Sequence, residues 1–383
     1  MKILHVTLSF ARGGRREAIL NLARGLHDLG VESHLCCIND FDGETADIDA
    51  SFAGSIELRR RRLLDGHALR RLRHYVREHA IDVLHAHDAA SLTSCALALP
   101  HPRRPLLMTF HRTLGFESEH RRDRLRNALV GLRTGAVVVA SEERRRHYLE
   151  RNRIAPRKLV RIPLGIDLAR FRPDATCRAA LRERLGLRPD QPVLGAAGHF
   201  GTEKGIDVVI EAFQDLARRP AGRDAALVVL GTGTEARQDA IRAMIHADLA
   251  PRIHLVGYQH ASESWFAGFD LLLHGARAEA FGLVLVEAMA CRVPVIAAAV
   301  GGIPDIIIDG TCGCLVPAED PVAMANAAAA LLQSPTRLSA MADAALQRAR
   351  MEYDLATSAH RHLHLYQSLC KDAENLPITE VDS

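Results

Sequence analysis

Leu271-Leu272-Leu273-His274, Glu279-Ala280-Phe281-Gly282, Leu283-Val284-Leu285-Val286-Glu287-Ala288-Met289-Ala290 and Val293-Pro294-Val295-Ile296 form the stretch that decides the fold. Two short apolar runs, each the length of a buried strand, flank a longer apolar run that begins directly after a glycine. The reading is strand, loop, helix, strand, the repeating unit of a parallel α/β sheet. Gly282 marks the start of the helix. The free N–H groups of that first turn, with the positive end of the helix dipole, point at an anion. Glu279 falls in the loop before the helix, and Glu287 lies over a turn inside it.

The same alternation fills the rest of the chain. Segments 3–8, 33–38, 81–85, 106–110 and 137–140 read as strands, with helical patterns at 16–29, 69–79 and 121–133. The pattern restarts near residue 192, with strands at 193–197, 226–230, 253–256, 271–274 and 295–298. Turn-rich Ile162-Pro163-Leu164-Gly165-Ile166-Asp167 and Phe171-Arg172-Pro173 separate the two halves. A helical tract from Pro321 to about Lys371 closes the chain. A chain of 383 residues exceeds one ordinary domain. The expectation is two doubly wound, Rossmann-like domains at 1–168 and 169–352, facing each other across a cleft. A helix at about 353–371 is expected to pack back on the first, with 372–383 a flexible tail. Doubly wound sheets bind ligands at the carboxyl ends of their strands, so chemistry is sought in those loops.

Composition is that of an ordinary globular chain, with 48% hydrophobic and 25% charged residues, and excludes a long disordered region. The net charge of +3 conceals an asymmetry. Residues 1–170 hold 30 Lys+Arg against 20 Asp+Glu, and the remainder holds 19 against 26. A basic first half points to an anionic partner: a phosphorylated glycan, a lipid surface or nucleic acid. The eight cysteines lack zinc-site spacing, and several sit in apolar runs as buried thiols. Met1–Val6 reads as a strand rather than a signal peptide, and no window approaches 18 apolar residues. The expectation is a cytoplasmic protein with reduced thiols.

Four further segments occupy strand ends. Gly198-His199-Phe200-Gly201-Thr202-Glu203-Lys204-Gly205 follows the first strand of the second half, and Gly13-Gly14 follows the first strand of the chain. Thr109-Phe110-His111 and His85-Ala86-His87-Asp88 end two others. With the Glu279–Glu287 pair, these segments resemble the retaining glycosyltransferases of family 4, a GT-B fold family with an E-x7-E signature. The resemblance implies that Glu279 contacts the donor sugar and Glu287 the ribose, with the backbone of Phe281, Gly282 and Leu283 at the diphosphate. It implies that Lys204 neutralises the diphosphate. His199 stands where the family has Arg, which gives less charge and a pH-dependent one. Gly13 and Gly14 match a glycine-rich loop whose amides approach the donor. Arg16 stands where the family often has Glu. His111 matches a strand-end histidine near the reacting centre, so His111 and Glu279 form the expected catalytic set.

Leu230-Gly231-Thr232-Gly233 and Val256-Gly257-Tyr258 extend the resemblance. Arg292 stands where Gly is usual, at a cost of roughly 1 kcal/mol in a left-handed cap. His85 and His87, two residues apart with no third ligand in view, make a metal site improbable and read as structural or cleft-lining. Each motif also has a plain structural reading: two acids flanking a helix, a solvated lysine, a tight turn, a core histidine.

The implied activity is metal-independent transfer, with retention, of a sugar from a nucleoside diphosphate sugar to a glycan, lipid-linked or small-molecule acceptor. Cell-surface polysaccharide or glycolipid synthesis is the expected setting. A sugar-nucleotide epimerase on the same fold and a non-catalytic sugar-nucleotide-binding protein are the alternatives. No cofactor is expected. The arginine clusters 59–62, 70–71, 121–122 and 144–146, with an amphipathic helix at 121–133, fit peripheral contact with an anionic inner membrane face or an ordinary solvated surface. Nucleic acid is not expected, since no aromatic platform interleaves the charges. The donor base, its sugar and the acceptor are not legible in the sequence.

Overall fold

The computed structural model describes residues 1–41, 46–62, 65–99, 105–111, 133–151 and 154–374. Most of the helix read at 121–133, with Arg121 and Arg122, lies outside the described residues. The chain forms two compact units, one holding the segments up to Gly165 and from Leu355 onward, the other Ile166–Asp354.

The first unit carries β1 (Lys2–Thr7), β2 (Glu32–Cys37), β3 (Gly54–Glu57), β4 (Val83–Ala86), β5 (Leu106–Thr109), β6 (Ala136–Val139) and β7 (Leu159–Arg161). They form one parallel sheet in the order β3-β2-β1-β4-β5-β6-β7. The second unit carries β8 (Val193–Ala197), β9 (Ala226–Leu230), β10 (Ile253–Gly257), β11 (Leu271–His274), β12 (Val295–Ala298) and β13 (Gly313–Val316). Its parallel order is β10-β9-β8-β11-β12-β13. Every residue of β8, β9, β11 and β12 is buried, as a parallel sheet covered on both faces requires. Leu194, Leu227, Leu273 and Ile296 meet Val209 and Phe213 in that core.

Three strands, β3, β7 and β13, were not anticipated from the sequence. All three lie at sheet edges, where one side is unpaired and apolar patterning weakens. The closing tract resolves into helices Pro321–Leu332, Pro335–Glu352 and Leu355–Glu374. Pro335 cannot continue the preceding helix, because it lacks an N–H and clashes with the turn before it. The last helix belongs to the first unit, where Gly25 lets it approach. A Cβ on Gly25 would stand 2.8 Å from that of Ala359. Among the described residues, no helix is long and apolar enough to cross a membrane.

Arg292 adopts the left-handed conformation expected of it, at φ 62. Its guanidinium reaches Asp343 at 2.6 and 3.2 Å and the Ser339 hydroxyl at 2.8 Å. Backbone strain of about 1 kcal/mol thus opposes a solvent-screened surface ion pair, which contributes little. Arg292→Gly is expected to change stability by less than about 1 kcal/mol in urea denaturation, because the two effects are small and opposed.

Candidate functional site

Strand order reverses between β1 and β4 in the first sheet and between β8 and β11 in the second. Loops leaving adjacent strands at such a point diverge and open a crevice at their carboxyl ends.

In the second unit, the loop after β8 ends in a short turn, Thr202–Lys204, and the loop after β11 carries Glu279. Lys204 Nζ lies 2.7 Å from Glu279 Oε2, and His274 Nε2, on the last residue of β11, lies 3.4 Å from the same oxygen. The Ala280 N–H donates to Glu279 Oε1 at 3.1 Å. Glu279 is only 8% exposed. Burial pushes its carboxyl up, but His274 and the Lys204 ammonium outweigh that and hold it down, at about 2. Glu279 is therefore an ionised acceptor through the physiological range, able to take hydrogen bonds from hydroxyls.

The two loops touch through backbone. Gly205 sits at φ 59, and a Cβ there would lie 1.9 Å from the Gly275 carbonyl oxygen. Arg277 clamps the contact. It donates to Asp207 at 3.0 and 2.8 Å, to the Thr202 carbonyl at 2.8 Å and to Glu319 at 2.8 Å. Gly282, at φ 107, precedes the helix Leu283–Ala290, and among the described residues no side chain caps its first turn. Phe281 is buried against Tyr353, Leu283 is buried, and Glu287 is half-buried on the helix. His199 is exposed, and among the described residues its ring makes no hydrogen bond. Thus Lys204, Glu279 and the Gly282 helix start converge on one switch point, while His199 stands apart from the ion pair.

In the first unit, Gly13, at φ 140, precedes the helix Gly14–Asp28, and both glycines are exposed. Arg16 is buried, its guanidinium 5.4 Å from the Phe10 ring centroid, so it faces inward. His111 follows β5 and is half-buried. Its Nε2 lies 3.0 Å from Nδ1 of His87, which is itself 3.1 Å from His5 Nδ1 through Nε2. Burial first, then the charge of Arg15, holds the His111 ring down at about 3, so it is neutral at ordinary pH.

Residues 12–170 match Glycosyltransferase Family 4, and residues 191–334 match the Glycosyl transferases group 1 family. The chain belongs to the family-4 type of glycosyltransferases. A D-inositol 3-phosphate glycosyltransferase of Xylanimonas cellulosilytica is 39% identical over 200 residues, 49% of this chain and 46% of its own length. An alpha-D-kanosaminyltransferase of Streptomyces kanamyceticus is 31% identical over 242 residues, 62% of each chain. The chain spans about half the length of the curated relatives it matches. HepE of Anabaena, solved with UDP, superposes with a TM-score of 0.84 over 96% of this chain and 100% of that one, at 21% identity. At that identity the likeness carries the fold, which is GT-B.

This family-4 chain also holds groups that sequence reasoning passed over. His274 was visible only as the end of a strand, and Arg277 as an unremarked loop residue. His5 is a third: it brings a ligand atom within 4.8 Å of those of His85 and His87. The spacing of His85 and His87 brought no third histidine into view because His5 lies some eighty residues away in sequence, on the neighbouring strand.

Two outcomes follow from this geometry. Gly205→Ala adds a left-handed strain and a backbone collision, and is expected to lose roughly 2–4 kcal/mol in chemical denaturation. The depressed Glu279 carboxyl contributes stability above the ordinary range near 4.5, lost as pH falls toward 2. Glu279→Gln should therefore lower the melting temperature at pH 7, by a margin that shrinks progressively below about pH 4.5.

Proposed function

We propose that the chain transfers a sugar from a nucleoside diphosphate sugar to an acceptor, with retention and without a metal. The observation that carries this reading is the Lys204–Glu279–His274 cluster at the switch point of β8 and β11. A cation, an ionised carboxylate and a helix start without a side-chain cap are the groups a sugar diphosphate needs. Lys204 and the amides after Gly282 take the diphosphate. Glu279 takes sugar hydroxyls, and Glu287 takes the ribose. His199 adds charge only where it is protonated. His111 is assigned to the reacting sugar on the resemblance of its strand-end motif. Stabilisation of the departing diphosphate by preorganised donors supplies the electrostatic part of catalysis.

The curated relatives are named as glycosyltransferases, and HepE was also solved with UDP-glucose. An anionic acceptor accords with the basic first half and with the inositol 3-phosphate named for the relatives. The donor class is tested by thermal shift against UDP-, GDP- and ADP-sugars, with nucleotide release then followed against an acceptor panel that includes inositol phosphates. One sugar nucleotide should raise the melting temperature. Glu279→Ala should cut turnover about 10²–10³-fold, the range for loss of one preorganised polar contact. Lack of binding to every sugar nucleotide would remove the reading. Sugar conversion without an acceptor would replace it with epimerisation.

A further inference from the structure

His5 is the fourth residue of β1 and pairs in register with His85 on β4. His87 follows β4, and His111 follows β5. His5 Nδ1 and His87 Nε2 are 3.1 Å apart, and His87 Nδ1 and His111 Nε2 are 3.0 Å apart. The rings stack in sequence, with centroids 5.3 Å and 5.2 Å apart. His5 is 0% exposed and His87 2%.

A metal bound by His5, His85 and His87 would account for their proximity, but it competes with bonds already made. His85 uses both nitrogens, Nδ1 with the Tyr366 hydroxyl at 2.8 Å and Nε2 with the Thr109 hydroxyl at 2.7 Å. His87 also uses both. Only Nε2 of His5 has no partner among the described residues. Coordination by all three rings would break existing hydrogen bonds, whereas a chain of rings uses them.

A neutral imidazole has one donor and one acceptor nitrogen. Burial, reinforced by neighbouring histidines, Arg15 or both, holds His5 at about 3 and His87 well below its ordinary range. Arg15 and His362 also press on His111. With all three rings neutral, each N–H must face a lone pair. The proton on one ring then fixes the proton on the next, and only two patterns remain. Both are set as a unit. The pattern in which His5 donates from Nδ1 leaves only a lone pair at its buried, unpartnered Nε2, whereas the reverse buries an unsatisfied N–H there. The first is therefore selected, and His111 carries its proton on Nδ1.

We propose that His5 and His87 are positioning residues that hold His111 in one neutral tautomer and one ring orientation through this hydrogen-bonded chain. The tautomer lock stands on the first unit alone, while its use in sugar transfer rests on the function proposed above. The test is a long-range ¹H–¹⁵N correlation on the full chain labelled in its histidines, from about pH 6 to 8. His111 should show one neutral tautomer, unchanged across that range. His5→Phe keeps a ring in place but removes the nitrogen, and should leave His111 averaging between tautomers. His5→Asn, which returns a hydrogen-bonding group near the Nδ1 position, should restore the single form. If His5→Phe does not fold, His5→Leu is read in its place. Averaging in the wild-type chain, or an unchanged His111 signal in His5→Phe, overturns the proposal. Stoichiometric zinc binding that moves the His5, His85 and His87 signals together also overturns it, in favour of a metal site. None of these readings depends on finding the donor, so a failed sugar-nucleotide screen and a failed lock are distinguishable.

Discussion

A buried carboxylate that stays ionised constrains the second unit more than any other feature. An ionised carboxyl taken out of water costs several kcal/mol unless charge and hydrogen bonds replace its solvent. At Glu279 they come from Lys204, His274 and the Ala280 N–H. Bringing Lys204 within 2.7 Å presses the loop after β8 onto the loop after β11, and the backbones touch at Gly205 and Gly275. The loop after β12 is drawn in as well. Gly302 donates to the Glu279 carbonyl at 3.0 Å, and a Cβ on Gly301 would lie 1.9 Å from that oxygen. The glycines are consequences of this packing, since any side chain would hold the three loops apart.

The same arrangement gives Lys204 two partners to serve. In the free chain its ammonium is engaged by Glu279, yet its side chain keeps 26% exposure and an ammonium carries three donors. It can hold the carboxylate with one N–H while presenting the others to an anion. Glu279 likewise keeps acceptor capacity beyond the pair, because each carboxylate oxygen has two lone-pair sites. A lysine seen in sequence as a phosphate point charge is thus also the counter-ion that lets the carboxylate be buried.

Interior strands were legible because burial on both faces forces continuous apolar runs. Of the four edge strands only β10 was read, from its Ile253-His254-Leu255-Val256 run; at β3, β7 and β13 that pressure lapses. Gly282 was legible as a helix start because the apolar run begins beside it. The Lys204–Glu279 pair was not, since 75 residues separate the partners and only the adjacency of β8 and β11 brings them together. His274 had no motif to announce it. Its position at the end of β11 fixes what it faces, and that information lies in topology. The Arg292 strain was read from the family resemblance, which has Gly at that position, but its relief by Asp343 depended on a helix about fifty residues further on.

The two halves also show why net charge and local chemistry must be argued separately. The first half is basic, yet the groups at its strand ends, buried His87 and half-buried His111, are histidines held neutral chiefly by desolvation. The second half is acidic, yet its switch point holds a lysine that balances the buried Glu279. Surface arginines in high dielectric set a long-range field that attracts anions and is screened by salt. Strand-end groups act within a few ångströms, where burial decides whether a proton or a charge is present at all. A tally of arginines therefore speaks to which molecules approach the first unit, and the protonation of His5, His87 and His111 to what they meet on arrival.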